Sequence, residues 1–221
     1  MERLLEGVAR FKRDVFPTRK HLFKTLADSQ NPEALFITCA DSRIVPELIT
    51  QTQPGDLFIC RNAGNIVPPY GDVQGGVSAT IEYAVCVLNV KHVIVCGHSD
   101  CGAMKALVKP EKLEGLPNVK RWLSHGELAH RVVTENYKDL SEEGMLQALT
   151  QENVIAQLDH LRTFPYIASR LASNRVQLHG WVYSIAHGDV ICWDPNRGRF
   201  IPIEEYNTSI TAPRRRTMAA D

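Results

Sequence analysis

Short apolar runs alternate along this chain with segments whose apolar residues recur at helical spacing. Ala34 to Cys39, Asp56 to Arg61 and His92 to Gly97 are rich in Val, Ile or Phe and bounded by Pro, Gly or charge, which predicts buried strands. Gln177 to Ser184 and Asp189 to Trp193 repeat that texture around a His187-Gly188-Asp189 turn. Between the second and third runs, Gly76 to Asn89 sets Val77, Ile81, Val85 and Leu88 on one helical face. Glu142 to Arg162 does so less regularly, through Leu146, Leu149, Val154, Leu158 and Leu161. Strands separated by helices predict an α/β fold with a mainly parallel sheet flanked by helices, and such sheets hold ligands beyond the carboxyl ends of their strands. Ahead of the first strand, Leu4, Leu5, Val8, Phe11 and Val15 predict an amphipathic N-terminal helical arm. The expected organisation is an arm over 1–33, an α/β catalytic domain over 34–205 and a tail over 206–221.

Composition narrows the class. At 221 residues, 44% hydrophobic and 23% charged, the chain suits one α/β domain better than two. Twenty-five Lys+Arg balance 25 Asp+Glu, which argues against a nucleic-acid partner; only the Arg214, Arg215, Arg216 run is locally basic. No apolar stretch nears the ~18 residues of a membrane span. The N-terminus carries Glu2 and Glu6 where a signal peptide would be basic, so a cytoplasmic protein is expected. In that reducing compartment the six cysteines are thiols or metal ligands.

Two strand ends carry candidate chemistry: Cys39-Ala40-Asp41-Ser42-Arg43 after the first, and Gly97-His98-Ser99-Asp100-Cys101-Gly102 after the third. Two thiolates and an imidazole form a Cys₂His set that suits zinc and leaves a fourth position for water or substrate. Cys101 would open a helix, where dipole and free N–H groups favour a thiolate. Asp41 could take the fourth position or hydrogen-bond the water there, with Arg43 holding its carboxylate. By position alone Cys39 reads more readily as a small core residue and His98 as a satisfied core or loop histidine, and Asp41 with Arg43 could be a surface ion pair; Cys60, Cys86, Cys96 and Cys192 read as core. A serine or thiol hydrolase does not fit, because the G-x-S-x-G pattern fails at Cys101. Nor does a zinc deaminase, whose H-x-E and P-C-x-x-C do not occur. The Gly71 to Gly76 segment lacks the G-K-[ST] ending of a phosphate loop.

The segments CADSR, GDLFICRNAGNIVPPYG, GGVSATIEYAVCVL, VIVCGHSDCGAMKAL and HGWVYSIAHGDV together resemble the β-class carbonic anhydrases, from about Leu4 to about residue 190, and within them the bacterial and cyanobacterial members with the plant-type site. The resemblance implies one Zn²⁺ per chain on Cys39, His98 and Cys101, with Asp41 and Arg43 as the catalytic dyad. It implies Gln30, Phe58, Tyr83 and Gly102 around the substrate, and reversible hydration of CO₂ to bicarbonate and a proton by a zinc-bound hydroxide. It also implies a homodimer, built further into a tetramer or octamer, with the arm gripping a neighbour. COS or CS₂ hydrolysis on the same scaffold stays open. One departure stands out: the subgroup with a second bicarbonate pocket has tryptophan three residues before the first ligand cysteine, and this chain has Phe36. Arg61 and Tyr183 are candidates for that pocket's other members, and Phe36 argues against its forming.

Overall fold

The computed structural model describes residues 1–72 and 75–206. In chain order its elements are α1 (Glu2–Arg10), α2 (Lys20–Asp28), β1 (Ala34–Cys39), α3 (Pro46–Thr50), β2 (Leu57–Asn62), α4 (Gly76–Glu82), β3 (His92–His98) and α5 (Gly102–Val108). There follow α6 (Pro117–Leu123), α7 (Glu127–Asn136), α8 (Glu142–Arg162), α9 (Pro165–Ala172), β4 (Gln177–Tyr183), β5 (Val190–Asp194) and β6 (Arg199–Pro202). The expected tail lies outside the described residues from 207 onward.

Six strands form one sheet in the order β2-β1-β3-β4-β5-β6. The first four are parallel; β5 runs antiparallel to β4, and β6 antiparallel to β5. β1 is buried at all six positions, as a central strand with both faces covered must be. β2 begins at Leu57 because Asp56 is taken up in a turn, its carboxylate accepting the Gln53 N–H at 2.7 Å. The helix expected over Gly76 to Asn89 divides into α4 and a π-helical stretch, Tyr83–Val87.

The long helix α8 has the expected ends. Ser141 caps it, its hydroxyl accepting the Gly144 N–H. It lies close on the sheet over two glycines: a Cβ at Gly180 would come within 2.8 Å of Val154 Cγ1, and one at Gly97 within 3.0 Å of Val154 Cγ2. Val154, Leu158 and Leu161 thus enter the main core with Leu35, Ile37, Val93 and Val95. A second apolar cluster, including Leu107, Leu123, Val133 and Leu149, fills the space between α8 and α5 to α7, beside the strand ends.

The arm stands apart. After α1 the chain passes through a π turn (Phe11–Val15) and a 3₁₀ turn (Phe16–Arg19) into α2, and none of these elements has a buried residue. Leu4, Leu5 and Val8 are more than 60% exposed. Phe11, Phe16 and Phe23 stack among themselves at 5.5 to 6.2 Å.

Candidate metal centre

β1 and β3 are adjacent and parallel, so their carboxyl ends deliver Cys39 and His98 side by side. Three residues on, Cys101 stands at the N-cap of α5. One ligand atom from each of the three lies within 4.8 Å of the others, and all three residues are buried. The tight passage from strand to helix uses Asp100 in the left-handed region (φ 59°), which Asp tolerates better than most residues.

The donor set fits a metal ion. The Cys39 and Cys101 sulfurs are 4.0 Å apart, and two sulfurs each about 2.3 Å from one tetrahedral zinc stand about 3.8 Å apart. His98 Nδ1 is 2.8 Å from the Ser99 carbonyl and must donate to it, which fixes the tautomer and leaves Nε2 an acceptor. That Nε2 is buried with no hydrogen-bond partner, a costly state unless something binds there. Between the thiols, the hydrogen bond from Cys101 draws the Cys39 pKa down to about 4 against the opposing effect of burial, helped by the Gly64 N–H, while the same bond and burial push Cys101 up. A cation at this point would hold both as thiolates.

Asp41, two residues past Cys39, is held on Arg43. The Arg43 backbone N–H and Nε donate to Oδ1 at 2.9 and 3.0 Å, and Nη2 donates to Oδ2 at 2.8 Å. These bonds keep the Asp41 carboxyl far below the usual range, so it is ionised at any ordinary pH. Arg43 Nη1 reaches Asp100 at 3.1 Å, and Lys105 pairs with the same carboxylate. Asp41 Oδ2 lies 3.9 Å from His98 Nε2, which sets the dyad at the edge of the cluster.

Of the other expected residues, Gly102 opens α5 beside Cys101. Phe58, Tyr83 and Gln30 lie elsewhere. Phe58 pairs with Leu35, four residues back from Cys39, or about 13 Å along the strand. Tyr83 packs on Phe58 at 5.8 Å and is 45% exposed. Gln30 follows α2 and precedes β1, at the opposite end of the sheet from the cluster. Phe36 is fully buried against Trp181, and Arg61 donates to the Cys39 and Asp41 carbonyls at 3.1 and 2.6 Å. The guanidinium considered for a second pocket is thus spent holding the backbone under the cluster.

Sequence reasoning missed Gly64, whose N–H donates to Cys39 Sγ at 3.4 Å, and the side chains behind it, Asn153 and Gln157. A signal was present: two polar residues four apart in the apolar stripe of α8.

The sequence model of the family described as Carbonic anhydrase matches residues 34–190. A carbonic anhydrase of Pseudomonas aeruginosa is 52% identical over 206 residues, covering 93% of each chain. Carbonic anhydrase 1 of Escherichia coli O157:H7 is 45% identical over 220 residues, covering 100% of each. The solved structure of the β-carbonic anhydrase CcaA matches with a TM-score of 0.92 at 45% identity, covering 96% of this chain and 94% of that one. One of the two tetrameric β-carbonic anhydrases of the ascomycete Sordaria macrospora matches at 0.79 and 31%, covering 86% and 95%. With this strand order, this cluster of two thiols and an imidazole and these relatives along nearly its whole length, the chain belongs to the β-class carbonic anhydrases.

Proposed function

We propose that Cys39, His98 and Cys101 hold one zinc ion per chain and that the centre so formed carries out the reversible hydration of CO₂ to bicarbonate and a proton. The observation that carries this reading is the orphaned Nε2 of fully buried His98, with two sulfurs within 4.8 Å of its ring nitrogen. When bound, the zinc supplies a Lewis acid that lowers the pKa of a coordinated water from about 15.7 to about 7.

The protein's own groups do the rest. Asp41, ionised and fixed by three bonds to Arg43, can only accept hydrogen bonds; it accepts one from the nucleophile's O–H and turns the oxygen lone pair toward the substrate carbon. Gly102 N–H is the donor to the substrate oxygen that gains negative charge. Gln30 would be a second such donor, and Phe58 with Tyr83 would keep the CO₂ pocket apolar. Since all three lie about a strand's length from their own cluster, they complete the site of a second copy. The unburied arm and half-exposed Tyr83 support a homodimer as the working unit, built further into a tetramer or octamer.

No described helix is long and apolar enough to cross a membrane. Six free cysteines favour the cytoplasm, where they stay reduced. Stopped-flow CO₂ hydration and zinc analysis on one sample test the assignment. Turnover proportional to zinc, with both lost in Cys39→Ala and His98→Ala, is expected; full turnover from metal-free protein would overturn it.

A further inference from the structure

Behind the cluster, buried polar side chains of α8 run down to the loop that follows β2. Asn153 and Gln157 are 1% and 0% exposed, one helical turn apart on the buried face of the helix. Asn153 Nδ2 donates to the Gly64 carbonyl at 3.0 Å, and Gln157 Nε2 donates to Asn153 Oδ1 at 2.9 Å. Gln157 Oε1 accepts the Val67 N–H at 2.8 Å, and His160 Nδ1 reaches the Val67 carbonyl at 2.7 Å. Two further ties complete the harness. Trp122 Nε1 donates to the Ala63 carbonyl at 2.8 Å, and the Asn62 side chain bonds both the N–H and the C=O of Ile66.

Loop 63–67 is therefore tied down at both ends and in the middle, in a conformation that needs Gly64 at φ +82° with Ala103 3.0 Å from where a Cβ would sit. The Gly64 N–H is thereby aimed at Cys39 Sγ, 3.4 Å away. Burying two amides is costly unless their donors and acceptors are placed, and here one bond from each goes to the loop while a third braces them against each other.

We propose that Asn153 and Gln157 are positioning residues of the metal centre: through loop 63–67 they hold the Gly64 N–H on the Cys39 sulfur and so set how much charge that ligand gives the metal. An N–H donated to a thiolate withdraws charge from sulfur and makes it a weaker donor, and partners at one remove from a metal tune affinity about 10–100-fold. The proposal rests on the metal reading above.

The test uses the full chain loaded with Co²⁺ and, separately, with ¹¹³Cd²⁺. In Asn153→Leu, of the same branched shape but without the donor to Gly64, the thiolate-to-cobalt charge-transfer band should move to lower energy, and zinc affinity by chelator competition should rise about tenfold as the sulfur gives more charge to the metal. Thr150→Val is the control: it sits on the same helix, is equally buried and bonds only the Leu146 carbonyl of its own helix, so its band should stay at the wild-type position. A folded Asn153→Leu with unmoved band and affinity overturns the proposal, as does a control that shifts as far. In the unmutated protein, scalar coupling between the Gly64 amide proton and ¹¹³Cd should be present; its absence overturns the proposal whether or not the variants fold. A wild-type chain that shows no thiolate-to-cobalt band at all overturns the metal reading itself, and this proposal with it.

Discussion

Acid should weaken this fold through one buried imidazole far from the metal cluster. His179 on β4 is 5% exposed, its Nε2 3.0 Å from His92 Nδ1 and its Nδ1 3.1 Å from the Tyr206 hydroxyl. Burial, and then repulsion from His92, push its pKa down from 6.5 to about 4. The unfolded chain takes up this proton near pH 6.5, whereas the folded chain resists it until about pH 4. The folded state therefore keeps its full advantage above pH 6.5 and loses it as pH falls toward 4. The whole gap corresponds to about 3 kcal/mol, of which about 2 kcal/mol is lost between pH 7.5 and pH 5. The assay is urea unfolding of zinc-loaded wild type and His179→Gln at those two pH values. Glutamine keeps a donor and an acceptor for its neighbours but does not titrate, so the variant should lose about 2 kcal/mol less than wild type over that interval. Equal losses in both proteins would refute the reasoning.

Asp41→Asn should keep its zinc by elemental analysis yet lose about 10–100-fold in kcat/KM, because the amide can donate to the nucleophile where the carboxylate only accepts. Gly180→Ala should cost about 1–3 kcal/mol in chemical unfolding, since its Cβ would collide with Val154 and Leu158 of α8. Removing residues 1–20 should convert the proposed dimer to monomers in sedimentation velocity, with CO₂ hydration falling in parallel if Gln30, Phe58 and Tyr83 serve a neighbouring copy's cluster.

The parts of the fold that follow regular periodicity were legible in the sequence. β1 and α8 have the ends their patterns predict, because β1 is bounded by charge and turn residues and α8 by the Ser141 cap. β5 begins a residue late because the Asp189 carbonyl is taken by the Ser184 N–H in the turn. The short helices α6 and α7 escaped notice: only Leu123 on α6 and Ala129 and Val133 on α7 are buried, too few apolar positions per helix to stand out as a face. β6, four residues ending at Pro202, is too short to carry a period. At the candidate site, the rule of parallel strand ends is enough to bring Cys39 and His98 together. It says nothing of Gly64, which reaches Cys39 through a loop without pattern, or of Phe58 and Tyr83, whose distance from the cluster depends on strand register.

The 4.0 Å spacing of Cys39 and Cys101 has a cost when the chain stands without metal. The hydrogen bond between them lowers the pKa of Cys39, so it is the more readily ionised of two sulfurs that face each other across a gap a small shift can close. An oxidant that converts Cys39 to a sulfenic acid would find its resolving thiol already in place, and the resulting cystine would no longer take a metal ion. Chelation and oxidation are therefore coupled injuries in this protein: metal stripped under reducing conditions can be put back, whereas metal stripped in air must be preceded on its return by a reductant.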